Sequence, residues 1–235
     1  MANFIARALR ATKAEIFKAV RLRKERWRTR KLIDKYLLEE NESKLHVGCG
    51  SNVLDGWLNA DYSPTTPAVI YLDATKTFPF GSDTFNYIFS EHMIEHISYG
   101  DGLFMLREAL RVLKPGGKIR ISTPNLAFLI GLYNEKKTDL QERYIKWSSE
   151  AFIGNDSFCK DTFVINNYFY SWGHKFIYDE SLLRSTLEKA GFVNVKNFPL
   201  QQSESAPLRN LENEGRMPAG FLDLETLTLE GTKGL

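Results

Sequence analysis

Leu45-His46-Val47-Gly48-Cys49-Gly50-Ser51 reads as a short buried strand that runs into a glycine turn. Leu45 and Val47 are apolar, and β-branched Val47 suits a pleated strand. Gly48 and Gly50 can take backbone angles that a Cβ forbids, and they let the main chain come close to a ligand. Glycine pairs of this kind are common in turns, so the meaning of this one rests on the residues downstream of it.

Trp57-Leu58-Asn59-Ala60-Asp61 reads as a second strand ending in a carboxylate. An acid in that position can accept both hydroxyl hydrogens of a ribose; the plainer alternative is a turn aspartate ahead of Ser63-Pro64. Ten residues lie between Gly50 and Asp61. A crossover helix with its loops needs a dozen or more, so the first crossing is expected to be stunted or a loop. Ala68 to Ala74 is expected as a third strand, with a second terminal acid at Asp73. Thr84 to Ser90 is a fourth, apolar and aromatic as a buried parallel strand should be, and it ends at Glu91-His92-Met93-Ile94-Glu95-His96. Residues 101–113 carry Leu103, Leu106, Leu110 and Leu113 on one helical stripe, with Asp101 as cap and Pro115-Gly116-Gly117 as stop. Lys118 to Pro124 is a fifth strand. Strands alternating with helical or looped crossings describe a parallel α/β sheet.

From Asn125 to Tyr178 the pattern loosens. This stretch holds thirteen of the chain's thirty aromatic residues, with helical pieces expected near 126–135 and 138–152. Asp179 caps a helix through Ala190 that Gly191 stops. Phe192 to Phe198 is a sixth strand, 201–220 reads as a polar, mobile loop, and Leu222 to Leu229 as a last strand.

At 235 residues, 43% of them hydrophobic, the chain is one domain or one domain with an appendage. Its two cysteines, Cys49 and Cys159, make no disulfide framework and fit a reducing compartment. No apolar run reaches membrane-spanning length, and Arg7, Arg10 and Lys13 interrupt any secretory signal, so a cytoplasmic location is expected. Charge is uneven: residues 1–38 hold twelve Lys/Arg against three Asp/Glu, a balance of +9, and because the whole chain is +2 the remainder carries −7. Apolar residues from Phe4 to Leu37 recur near helical spacing, which predicts a basic amphipathic helical extension over residues 1–43. Its basic face is expected to be solvated while the helix packs on the domain edge or on a second copy; peripheral contact with an anionic membrane is the sharper alternative.

Taken in order, Leu45-His46-Val47-Gly48-Cys49-Gly50, Asp61, Asp73-Ala74, Ser90-Glu91-His92-Met93-Ile94-Glu95-His96 and Leu113-Lys114-Pro115-Gly116-Gly117 resemble a class I S-adenosylmethionine-dependent methyltransferase. The similarity is greatest to a bacterial group with a short first crossing and a Gly-Trp-Leu-Asn-Ala-Asp segment, and Trp172-Gly173-His174-Lys175-Phe176-Ile177-Tyr178-Asp179 also looks like that group. The resemblance covers about residues 44–198. It implies a Rossmann-like, seven-stranded, mostly parallel sheet with an antiparallel last strand, in a methyltransferase domain over 44–235 whose aromatic-rich segment 125–178 after strand 5 is a substrate cap. It implies S-adenosylmethionine as cofactor, held by Gly48, Cys49, Gly50, Asp61, Asp73, Ala74, Glu91 and His92, with Glu91 and His92 at the methyl-donor end. Two departures stand out: His46 replaces the family's usual acid, and Asn52 replaces a third glycine.

His174, His96 and His92 are the candidate catalytic groups, since a hydroxyl acceptor must lose a proton and imidazole suits that task. His92-Met93-Ile94-Glu95-His96 also matches the H-x-x-E-H pattern of zinc proteases. That chemistry needs both histidines on one helix face and a third ligand, whereas here the motif follows a strand, so no metal is assigned. The expected acceptor is a small molecule or a saccharide, with a cell-surface polysaccharide precursor suggested by family association alone. A basic surface near the site would be needed for RNA, and the basic excess lies elsewhere, so no nucleic acid is expected. A binding or scaffold protein that keeps the fold and has lost the reaction is the competing class.

Overall fold

The computed structural model describes residues 27–154 and 159–235. Its seven strands are β1 (Lys44–Val47), β2 (Leu58–Asp61), β3 (Ile70–Tyr71), β4 (Phe85–Glu91), β5 (Leu113–Pro124), β6 (Phe192–Asn197) and β7 (Thr226–Lys233). They form one sheet in the order β3-β2-β1-β4-β5-β7-β6. β1 to β5 pair in parallel, and β7 runs antiparallel to both of its neighbours. This is the expected α/β sheet. The chain leaves β1 toward β2 on one side and later places β4 on the other, so the glycine turn sits where neighbouring crossings diverge. Open parallel sheets bind ligands at such a point, outside the carboxyl ends of the strands.

One face of the sheet carries Leu45, Val47, Ile88, Ile119, Ile121, Leu227 and Leu229, in the period of two that a strand dictates. Helices α2 (Tyr99–Val112) and α6 (Glu180–Ala190) cover it with Met105, Leu106, Ala109, Leu183 and Leu187. Helix α1, residues 27–39, adds Ile33 to the same core. The Tyr36 hydroxyl accepts from Lys44 N–H at 2.8 Å and reaches the Gly56 carbonyl at 3.1 Å, which ties α1 to the start of β1. The remainder of the expected basic extension, residues 1–26, lies outside the described residues.

Among the described residues, no α-helix covers the opposite face over β1, β4 and β5. That face carries His46, Phe89 and Arg120, and two irregular segments cover it. The first is the β1–β2 connection, a loop as the short spacing requires. Asn59 organises it: its amide accepts from Leu54 N–H at 2.9 Å and donates to the carbonyls of Leu54 and Trp57 at 2.9 and 3.0 Å. The second is the 199–217 segment, which lays Leu208 and Leu211 against Trp57 and Phe89. It does not behave as the free polar loop expected over 201–220. Arg120, fully buried in the middle of β5, donates to Glu212 at 2.6 Å, Glu230 at 2.7 Å and the carbonyls of Gln202 and Pro199 at 2.7 and 3.3 Å. A buried guanidinium must have its donors satisfied, and that requirement pins the segment.

Four local expectations are corrected. The third strand shrinks to Ile70–Tyr71 at the sheet edge. Helix α2 begins at Tyr99 rather than 101, because Ser98 is the cap: its side chain accepts from Asp101 N–H, and Asp101 sits inside the first turn. α2 ends at Val112, and Pro115-Gly116-Gly117 form an outward bulge in β5, between Leu113 paired with Phe85 and Lys118 paired with Tyr87. A Cβ on Gly117 would lie 2.8 Å from the Lys114 carbonyl and 2.9 Å from that of Asn86, so only glycine fits. The stretch 222–229 is not a single strand. Phe221–Glu225 form a short helix, α7, that buries Phe221 among cap residues, and β7 starts at Thr226. Asp179 and Gly191 bound α6 as expected, with Gly191 at φ 111°.

After β5 the chain builds α3 (Leu126–Gly131), α4 (Asp139–Phe152) and α5 (Asp161–Tyr170). Thr138 and Gln141 close a reciprocal capping box at the start of α4. These helices share a separate apolar cluster centred on Phe128, Leu132, Tyr144, Val164 and Tyr168. Among the described residues no helix is long and apolar enough to cross a membrane.

Candidate functional site

The glycine turn is tied to β2 through its backbone. Gly48 and Cys49 N–H both donate to the Ala60 carbonyl, at 2.8 and 3.1 Å. Gly50 N–H donates to Asp61 Oδ2 at 2.9 Å, and Ser63 N–H to Asp61 Oδ1 at 2.7 Å. Gly48 and Gly50 have φ of 72° and 51°. A Cβ on Gly48 would lie 2.2 Å from Met93 Cγ, so glycine is needed there for both angle and space. That contact joins the turn to the segment after β4.

Asp73 caps its own turn, accepting from Thr75 N–H and hydroxyl at 2.9 and 2.7 Å. Ala74 is buried behind it. Asp73 lines a cleft of about 1380 Å³ that reaches α1 and includes Tyr62 and Tyr71, whose rings lie 5.7 Å apart. Burial and the charge of Asp61 push the Cys49 thiol up to about 12, so it stays protonated. His46, in place of the family's acid, points into the opposite face, 3.3 Å from Asn59 and stacked 4.9 Å from Phe89. Burial lowers it to about 4, so it is a neutral packing residue. Asn59 is the site-supporting residue that sequence reasoning missed.

The three candidate catalytic histidines converge. His92, His96 and His174 line one cavity of about 290 Å³ above the carboxyl ends of β4 and β5. Their neighbours there include Glu95, Arg216 and Glu225, and the cap contributes Tyr144, Trp147, Phe152, Tyr168 and Trp172. The aromatic rings form a continuous wall, with Trp147–Phe152, Phe152–Trp172 and Tyr168–Trp172 centroids 5.3, 4.9 and 5.4 Å apart. Glu91, expected beside His92 at the methyl-donor end, is not among the residues lining this cavity. The strand alternation sends it to the opposite face, where it accepts from Asn52 at 3.2 Å and Asn213 N–H at 3.0 Å. Glu95 faces the cavity instead.

Local backbone geometry explains this convergence. Ile94–His96 form one 3₁₀ turn. His92, just before it, has φ 46° and aims its ring at Thr226, with Nε2 3.1 Å from the hydroxyl. The two histidines of the H-x-x-E-H motif therefore do not share a helix face. In the cap, Trp172 and Gly173 both have positive φ, 55° and 77°, and this tight reversal delivers His174. Lys175 and Phe176 N–H then donate to the Glu95 carbonyl at 2.7 and 3.2 Å, which docks the reversal onto the turn. The His96 and His174 rings end 4.9 Å apart. Non-glycine residues at positive φ are costly, and such outliers gather at functional sites.

Electrostatics within the wall differ from group to group. His174 Nδ1 lies 2.8 Å from the Tyr168 carbonyl; a carbonyl only accepts, so Nδ1 carries the proton and Nε2 keeps a lone pair. Burial lowers the His174 pKa, favouring that neutral form. Glu95 has a fully buried side chain. Burial raises its pKa, but His92 and His96 together outweigh that and leave it below the usual carboxylate range. Its Oε2 accepts from Thr123 at 3.1 Å. Its Oε1 lies 3.3 Å from His92 Nδ1, poorly aligned for a hydrogen bond, and has no other donor among the described residues. Ligand atoms of Glu95, His96 and His174 lie within 4.8 Å of one another. Across the cavity, the Tyr144 and Tyr168 hydroxyls and Glu225 Oε2 lie within hydrogen-bond distance of one another; with one proton on each phenol, two of these three contacts are hydrogen bonds at a time. Burial and the Glu225 charge push both phenols up, so they stay protonated.

Residues 20–197 match a family model described as a methyltransferase domain. No curated protein matches the chain by sequence. Similar solved structures include a SAM-dependent methyltransferase from Thermotoga maritima, 17% identical over 93% of this chain and 99% of that one, with a TM-score of 0.45. Another, from Archaeoglobus fulgidus, is 15% identical over 89% and 94%, with a TM-score of 0.45. Phosphoethanolamine N-methyltransferase 2 of Haemonchus contortus, in complex with S-adenosyl-L-methionine, is 14% identical over 88% of this chain and 52% of that one, with a TM-score of 0.43. The family match runs from within the N-terminal extension to the end of β6, well over half of the chain, and on that ground the chain belongs to the methyltransferase domain family.

Proposed function

We propose that the protein methylates a small molecule or saccharide, held in the aromatic cavity, at an oxygen atom. One observation carries this reading: His174 of the cap meets His92, Glu95 and His96 of the segment after β4 in the lining of that cavity, beyond the ends of β4 and β5. The remaining walls are flat aromatic faces, which suit a sugar ring or an apolar ring.

S-adenosylmethionine is the methyl donor. The residues at the glycine turn fit it: Gly48 and Gly50 leave room for close approach, and each Asp61 oxygen takes one protein N–H and keeps a lone pair for a ribose hydroxyl. Asp73 and Ala74 would lie near the adenine, and His92 near the donor end. When bound, the cofactor supplies an electrophilic methyl group whose C–S bond breaks onto sulfur as the acceptor oxygen bonds to carbon, leaving a neutral thioether. The chain's own residues orient the acceptor, exclude water and receive its proton. Orientation alone can contribute several kcal/mol. His174 Nε2, with its free lone pair, is the first candidate for the proton, His96 beside it the second and His92 the third.

Titration calorimetry with S-adenosylmethionine and with its demethylated product tests the reading. Micromolar binding of either is expected; binding of neither would leave the scaffold reading in its place. Asp61→Ala is expected to weaken cofactor binding by about 1–3 kcal/mol, because it frees the Gly50 N–H and removes a ribose acceptor. An unchanged affinity would reassign Asp61 to turn formation alone.

A further inference from the structure

We propose that Glu95, His96 and His174 bind one divalent transition-metal ion, zinc in preference to manganese, on the polar wall of the aromatic cavity. Two imidazoles and one carboxylate are a donor set typical of such ions, whereas calcium and magnesium take oxygen donors. The three ligand atoms already lie within 4.8 Å of one another. A tetrahedral zinc site with bonds of about 2.1 Å spaces its ligands about 3.4 Å apart, so side-chain rotation must close the trio by roughly an ångström. Independent features point to a ligand. Glu95 is fully buried, yet its Oε1 has no aligned hydrogen-bond donor among the described residues and faces the cavity. An unpaired buried carboxylate oxygen is expensive, and a cation would satisfy it. His174 donates Nδ1–H to the Tyr168 carbonyl, which leaves Nε2 as the ligand atom; metal-binding histidines are oriented in this way. Thr123 holds Glu95 from outside the trio, through Oε2.

Three protein ligands leave at least one coordination position, and all three residues line the cavity. If the cavity is the acceptor site proposed above, the acceptor's oxygen takes that position, and its proton passes to His92, since His174 Nε2 is then a ligand. This is a different use of the His92–His96 segment from a zinc protease, because His92 is outside the ligand set.

The test uses the full chain, stripped with EDTA and titrated with zinc chloride and with manganese chloride alone, followed by elemental analysis after desalting. One equivalent of zinc is expected. Glu95→Gln and His174→Ala should each weaken it by at least about 10–100-fold, with circular dichroism confirming that each variant is folded. A wild-type protein that retains no metal, or folded variants that bind as tightly as wild type, would overturn the site. Cobalt(II) loading of wild type gives a readout that needs no variant: a four- or five-coordinate visible spectrum supports the site, and the six-coordinate aquo spectrum refutes it. S-adenosylmethionine affinity, measured on the same stripped and loaded samples, separates the two readings. Metal bound without cofactor affinity would defeat the methyltransferase reading and spare the metal site; the reverse result would do the opposite.

Discussion

Glu212→Ala is expected to destabilise the protein by about 3–5 kcal/mol, because it breaks a buried charge pair and leaves the other partner in place. The Glu212 carboxylate accepts from Arg120 Nε at 2.6 Å, the Ser122 hydroxyl at 2.8 Å and Gln201 N–H at 3.1 Å. Arg120 cannot lose its proton, and with no exposed surface it cannot turn to water. Glu230 remains 2.7 Å from Nη1, but it lies on β7 and cannot also reach Nε without distorting the ladder. Urea unfolding should register the loss with an unchanged slope, and Tm should fall on the order of 10 °C. A loss below about 1 kcal/mol would mean that water reaches Arg120. The double variant Arg120→Met/Glu212→Leu should recover much of the stability, since a packed apolar pair often matches a buried ion pair. The effect should also reach the site. The 199–217 segment presents Asn213 N–H to Glu91 and carries Arg216 into the cavity, so releasing it should raise KM for the acceptor.

That segment shows where sequence reading stops. Lys118 to Pro124 was legible as a strand, and in the structure β5 buries Ile119 and Ile121 in the core. Nothing local marks Arg120, between them, as a buried charge. Its partner lies 92 residues away, and no local pattern announces a pairing at that range. The same limit explains Glu95 and His174. Each sits in a legible local motif, yet only the docking of Lys175 and Phe176 on the Glu95 carbonyl makes them neighbours. By contrast, the glycine turn, the short first crossing, the end of β2 at Asp61 and the Asp179–Gly191 helix were legible, because their causes are local: φ, chain length, capping and period. Helix α7 was misread for a mixed reason. Phe221, Leu222 and Leu224 alternate poorly enough to fit either element, and burial against the cap decided for a helix.

His174→Ala is expected to lower kcat by about 10²–10⁴-fold, the range for loss of a group that handles a proton in the transition state, while S-adenosylmethionine affinity stays within a factor of about three, about 0.6 kcal/mol. The geometry separates the two quantities. His174 belongs to the cap and touches Tyr168, Trp172 and His96, whereas the glycine turn is held by β2 and Met93. Alanine keeps the backbone of the reversal at Trp172-Gly173, since among the described residues the His174 side chain makes its one hydrogen bond to the Tyr168 carbonyl. Equal losses in kcat and cofactor affinity would instead make His174 a structural clamp between cap and sheet. The route by which it acts is separable too. If its Nε2 takes the acceptor's proton directly, chelation with EDTA leaves wild-type kcat unchanged. If it holds a cation that polarises the acceptor oxygen, EDTA drops wild type to the level of the variant, and added zinc restores wild type alone. Glu95→Gln discriminates further. It keeps the shape of the turn and the Thr123 contact but removes the charge that both a metal ion and a protonated His92 need. A kcat near wild type in that variant would therefore exclude the cation and leave the neutral imidazole of His174 as the acting base.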